Sequence, residues 1–169
     1  MSDSYLEVLV KRKTNILPLI GRNILIGLGA LVLILGVFTP LLLFFLLTSI
    51  LLFLLAWLCH RQIYIEYEYL YLDKTLSIDK ISNRSSRRKV AEFRMENMEI
   101  FAPASSHRLD AYNNRGGLKT VDYSSRQEDA NVYAMILHEG AQTLQVLLEC
   151  TDELYDQIRT GGPGKVFRD

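Results

Sequence analysis

The chain has 169 residues, and its nineteen basic residues balance nineteen acidic ones. It has room for one ordinary domain plus a small appendage, and no global charge draws it to nucleic acid. The apolar residues are very unevenly placed: residues 24–38 and 41–59 carry no charge, and only Thr39 and Pro40 separate them.

Ahead of these runs, Ser4 and Glu7 have capping-box spacing, and Leu6, Leu9 and Val10 recur at helical intervals before Lys11, Arg12 and Lys13. The pattern suits either a short interfacial helix within residues 1–15, lying on a membrane surface with its basic end toward anionic lipid, or a frayed terminus.

Residues 16–60 read as a two-helix transmembrane hairpin. Nineteen residues at a rise of about 1.5 Å cover roughly 28 Å, close to a hydrocarbon core of about 30 Å, so the second run spans by length alone. The first reaches spanning length when counted from Ile16, which takes in Arg22 and Asn23; Arg22 can extend its head group outward to the phosphates. Burying two helices that are apolar all round would demand a larger soluble protein than this chain supplies. A cleaved signal peptide fits poorly, because the apolar region is long, no small-x-small site follows and a second span comes at once. Thr39 suits an N-cap and Pro40 a first helical position. Gly29 with Gly36, and Ser49 with Ala56, are spaced to let the helices approach closely.

Lys11, Arg12, Lys13 and Arg22 flank the first span, and His60 and Arg61 follow the second. With Trp57 they make up the expected membrane-interface set, and their placement predicts that both termini are cytoplasmic.

Residues 61–160 change period. Ile63, Ile65, Tyr67, Tyr69 and Tyr71 alternate with Glu66 and Glu68, which predicts a half-buried strand. Asp73 and Lys74 make a turn into a second strand marked by Leu76 and Ile78. Val90 and Phe93 mark a third, Met98, Ile100 and Phe101 a fourth. A long polar connection follows, with turn chemistry from Asn113 to Gly117, before Val121 and Tyr123 mark a fifth. The apolar runs VYAMILHE and QTLQVLLE form a hairpin around Gly140. Thr151 then caps a helix with Asp152 and Glu153 in its first turn and Leu154, Tyr155 and Ile158 on its apolar face. Gly161, Gly162 and Pro163 stop that helix, and residues 161–169 are left as a tail, with Phe167 tucked back on the domain. The expected architecture is a membrane helical hairpin plus a mainly β domain of seven antiparallel strands capped by a C-terminal helix, the layout of the pleckstrin-homology (PH) fold.

In EYEYLYLDKTLSIDKI, the basic RSSRRK, MEIFAP followed by SHRLD, the VYAMI strand and the terminal GKVFRD, the chain resembles an uncharacterised family of small two-span membrane proteins of clostridia-like Gram-positive bacteria with a PH-like cytoplasmic domain. The resemblance covers most of the chain and implies a fold and an anchor; no activity comes with it. Eukaryotic PH domains often bind phosphoinositides through a basic first hairpin loop, but here the Asp73-Lys74 turn is nearly neutral, so that role does not carry over.

The basic residues fall instead between the second and third strands, where Lys80, Arg84, Arg87, Arg88, Lys89 and Arg94 face one acid, Glu92. Near an anionic leaflet each such charge contributes about 1 kcal/mol of attraction. Lys80, Arg84, Arg87, Arg88 and Lys89 are therefore the candidate contacts for lipid or an acidic partner, the other reading being a solvated hairpin loop with some arginines paired to acidic strand residues of the same domain. No stacking aromatics are interleaved with them, which argues against nucleic acid.

Catalysis finds little support. His60, His107 and His138 lack metal-ligand spacing, and Cys59 and Cys150 suggest neither a disulfide frame nor a metal knuckle. Ser105 or Ser106 with His107 and Asp110 lacks a nucleophile elbow. GGPGK has Val166 where a phosphate loop needs Ser or Thr. The spans hold no acidic residue of the kind a transporter uses. The sequence thus implies no enzyme, no cofactor and no small-molecule substrate. It implies a membrane-anchored scaffold that binds a protein partner or self-associates, with anionic headgroup binding through the basic loop as the alternative.

Overall fold

A computed structural model describes residues 5–114, 117–140 and 142–168. The chain divides into two compact units, one of Met1–Lys13, Glu66–Ile81 and Arg87–Asp169, the other of Thr14–Ile65 and Ser82–Ser86.

The second unit is built on α1 (Ile16–Val37) and α2 (Leu42–His60), both long and apolar enough to cross a membrane. Their large side chains are mostly exposed. Buried between them are the small residues Gly29, Gly36, Ser49 and Ala56, at the spacing the sequence offered. The Ser49 hydroxyl donates to the Gly29 carbonyl at 3.0 Å. A Cβ at Gly36 would stand 2.5 Å from that of Phe45, so this approach requires glycine. Thr39 does not cap α2 as expected: its hydroxyl donates back to the Gly36 carbonyl, closing the end of α1, and α2 begins after Leu41.

Among the described residues the other unit carries eight strands where seven were expected. The additional one is β1 (Leu6–Lys11), in the segment read as an interfacial helix; Ser4, of the capping box, lies outside the described residues. The strand β1 pairs antiparallel with β2 (Ile65–Leu72), setting Leu6, Val8 and Val10 opposite Tyr71, Tyr69 and Tyr67. Six residues cannot sustain a helix by themselves, whereas a ready-made neighbour rewards the period-two pattern that Leu6, Val8 and Val10 also possess. Next come β3 (Thr75–Ser82) and β4 (Ser86–Arg94), and the first sheet runs β1-β2-β3-β4. Asp73 and Lys74, then Asn83 and Arg84, take positive φ in the two hairpin turns, the backbone that tight hairpins demand.

The second sheet contains β5 (Met98–Pro103), β6 (Lys119–Asp122), β7 (Val132–Glu139) and β8 (Gln142–Glu149), in the order β5-β7-β8-β6. Here the all-antiparallel expectation fails, because β6 pairs parallel with β8. A short helix α3 (Asp110–Asn113) lies in the polar connection, whose Arg115 and Gly116 fall outside the described residues. Ile100, Ala102, Leu109, Ala134 and Ile136 form one core cluster. Buried Tyr69 links the sheets, its hydroxyl donating to the Tyr123 carbonyl at 2.8 Å and accepting from the Glu149 amide at 3.3 Å. The terminal helix α4 (Asp152–Gly161) is capped by Thr151 and buries Leu154, Tyr155 and Ile158 as anticipated. The segment after α4 is part of the domain rather than a free tail: Val166 bridges Phe101, the Lys165 ammonium donates to the Met98 carbonyl, and Phe167 packs on the core cluster.

Candidate interaction surface

The five basic residues singled out between the second and third sequence strands separate into two groups. Arg87 reaches across its sheet, pairing with Glu68 on β2 and with Asp79 on β3 at 2.7 Å. Glu68 is buried, so Arg87 is its counter-charge. Lys89 pairs with Glu92 on its own strand. Among the described residues, Lys80, Arg84 and Arg88 have no such partner, and Arg84 and Arg88 are exposed.

The expected membrane-interface set also divides. Arg12 is held inside the domain: it donates to the Tyr67 hydroxyl at 2.8 Å, sits 5.6 Å over that ring and lies 3.6 Å from Asp122. The Lys13 amide donates to the Ser125 carbonyl at 2.7 Å, and its ammonium lies 3.6 Å from Glu128. Lys11 stands opposite Glu66 in the β1–β2 ladder. These three therefore stitch the first strand into the domain instead of forming a basic helix end. The Asp122 carboxyl is raised by burial, but hydrogen bonds from Ser124 and Arg126 outweigh this and hold it below the ordinary carboxylate range. Arg22, Trp57, His60 and Arg61 all belong to the helical unit. Arg22 Nη1 lies 3.3 Å from His60 Nδ1, and Arg61 sits 4.9 Å over the Trp57 ring.

The feature that sequence reasoning missed is the outer edge of β4. This strand is last in its sheet, and an open cavity of about 240 Å³ runs alongside it. Four consecutive β4 residues, Val90, Ala91, Glu92 and Phe93, line it, so the strand shows its edge. Alternate residues line it from β6 and beyond (Lys119, Val121, Tyr123) and from β8 (Gln142, Leu144), so those strands show a face. A second cavity of about 240 Å³ shares Glu92, Phe93 and Glu139 and extends to Arg94 and Asn97. Unpaired backbone beside a half-apolar floor is the setting in which an extended peptide adds to a sheet. Strand order decides which strand ends a sheet, and no local pattern encodes it.

Among the described residues nothing comparable gathers around His107 or His138. His107 is fully exposed, 3.4 Å from Asp110, and the Ser106 hydroxyl accepts from the Arg108 amide. His138 Nε2 lies 2.5 Å from Glu99 on the domain surface. Burial pushes the Cys150 thiol up to about 12, far from a reactive thiolate. Among the described residues no three His, Cys, Asp or Glu side chains cluster as metal ligands would.

Two sheets followed by a C-terminal helix, with β4 at the end of one of them, define a PH-like domain. The profile of the bacterial PH-like domain family DUF6106 matches residues 2–168, and the chain belongs to that family. No curated protein and no solved structure matches it significantly.

Proposed function

We propose that the chain is a membrane-anchored scaffold: α1 and α2 cross the membrane, and the PH-like domain binds a protein partner or a second copy at the cytoplasmic face without performing a reaction. The observation that carries this reading is the cavity along the β4 edge, which offers main-chain hydrogen bonds to an extended segment and pockets for its alternate side chains. The β1–β2 ladder supports the anchor topology. One strand precedes α1 and the other follows α2, so their pairing is compatible with a hairpin whose two ends emerge on one side. Arg22, His60 and Arg61 near those ends favour the cytoplasmic side.

A photo-crosslinking residue at half-exposed Val90, activated in intact membranes, is expected to give a discrete adduct heavier than the monomer. A chain recovered only as free monomer after crosslinking and gentle extraction would count decisively against the reading.

The alternative, headgroup binding through residues 80–89, is favoured by one observation: the turn bearing Arg84 belongs to the same compact unit as the helices. Its test is salt-dependent retention of anionic lipid by the reconstituted chain, with Lys80, Arg84 and Arg88 changed together to serine; unchanged retention would dismiss it.

A further inference from the structure

The helical unit contains three arginines, Arg22, Arg61 and Arg84, and neither of its two segments contains an aspartate or glutamate. Every arginine there lacks a carboxylate of its own unit, an arrangement that is costly where water is scarce. Arg22 shows the consequence. Its Nε and Nη2 donate to the Asn23 side-chain oxygen at 3.1 and 2.9 Å, and Nη1 faces the ring nitrogen of His60 at 3.3 Å. Neither group carries a negative charge, so the guanidinium charge is left uncompensated by them. The next residue after His60 is Arg61, whose guanidinium is braced over Trp57. Arg22 thus meets His60 across the two helices, with Arg61 next in the chain, and Ile20, Ile24 and Leu58 of the same helices expose their aliphatic side chains.

We propose that Arg22, His60 and Arg61 form a clamp for the phosphate of an anionic phospholipid. Guanidinium donors match phosphate oxygens bidentately, and the exposed apolar side chains of the same helices suit acyl chains rather than a free ion. The clamp rests on the membrane-anchor reading, but it differs from the loop alternative in using the helix ends and none of the β4 cations.

The test uses the full chain purified in detergent, with retained lipid counted by native mass spectrometry. Phosphatidylglycerol should be retained in preference to phosphatidylcholine. Arg22→Gln and Arg61→Gln should each lower phosphatidylglycerol retention roughly fivefold, the effect of one interfacial charge. Arg22→Lys should restore much of it, and Arg88→Gln should leave it unchanged. Equal retention of the two lipids, or full retention in both glutamine variants, would overturn the clamp, as would displacement of the lipid by inorganic phosphate. Flotation with neutral vesicles separates the two ideas. A chain that fails to float refutes the anchor, whereas one that floats without phosphatidylglycerol preference refutes the clamp alone.

Discussion

Three arginines of the β-rich unit serve a purpose that none of the helical unit serves within its own segments. In the β-rich unit, Arg12, Arg87 and Arg126 all lie against carboxylates, and Arg87 joins three adjacent strands through Glu68 and Asp79. In the helical unit, Arg22, Arg61 and Arg84 have no carboxylate in their own segments. Whether a cation is part of the fold or part of a surface is therefore decided by where the acids lie, and the basic residue count along the chain is blind to that difference.

The largest effect expected from this contrast is at Arg87. Arg87→Ala leaves Glu68 buried without its counter-charge and beside Asp79, and should cost about 3 kcal/mol of stability. Arg88→Ala, one residue along and without a partner, should change stability by less than about 0.5 kcal/mol. Thermal or urea unfolding of the two variants in the same detergent checks the pair, and equal losses would erase the distinction.

Asp122 gives a smaller effect with a definite sign. Its carboxyl is held below the ordinary value of 3.8 in the folded chain, so its stabilising contribution is complete above that value. The contribution is lost as pH falls through the lower folded value. Stability should therefore decline from about pH 4 downward, and Asp122→Asn should be less stable at neutral pH while showing a shallower acid limb. Unfolding midpoints measured from pH 7 to pH 2 would reveal it; parallel curves for the two proteins would assign the acid sensitivity elsewhere.

The same physics separates the elements that were legible in the sequence from those that were not. The helical hairpin announced itself because two long runs lack charge, and close helix approach was suggested by the size and spacing of Gly29 with Gly36 and of Ser49 with Ala56. Seven strands and α4 were visible because turn residues and period-two alternation are local signals. The strand β1 was not, since Leu6, Leu9 and Val10 fit a helix as well as Leu6, Val8 and Val10 fit a strand, and the arbiter is β2, more than fifty residues away. The parallel β6–β8 pair likewise depends on a partner remote in sequence. In the candidate site, Arg87 and Arg88 are indistinguishable by composition; only strand register turns the first toward Glu68 and Asp79. The β4 groove needed the order of two sheets before it existed as a feature at all.

The smallest expected effect runs in the opposite direction and concerns Arg84. Its φ of 56° lies in the left-handed region, which costs an L-residue with a β-carbon about 1–2 kcal/mol. Glycine adopts it freely but gives back roughly 0.5–1 kcal/mol through its more mobile unfolded chain. Because Arg84 has no carboxylate to lose, Arg84→Gly should raise stability by about 0.5 kcal/mol, against the loss of about 3 kcal/mol at Arg87. A loss greater than about 1 kcal/mol in the same unfolding assay would mean that Arg84 is held by a favourable contact after all. Arg84 would then resemble Arg87, and the loop alternative would lose one of its three free cations.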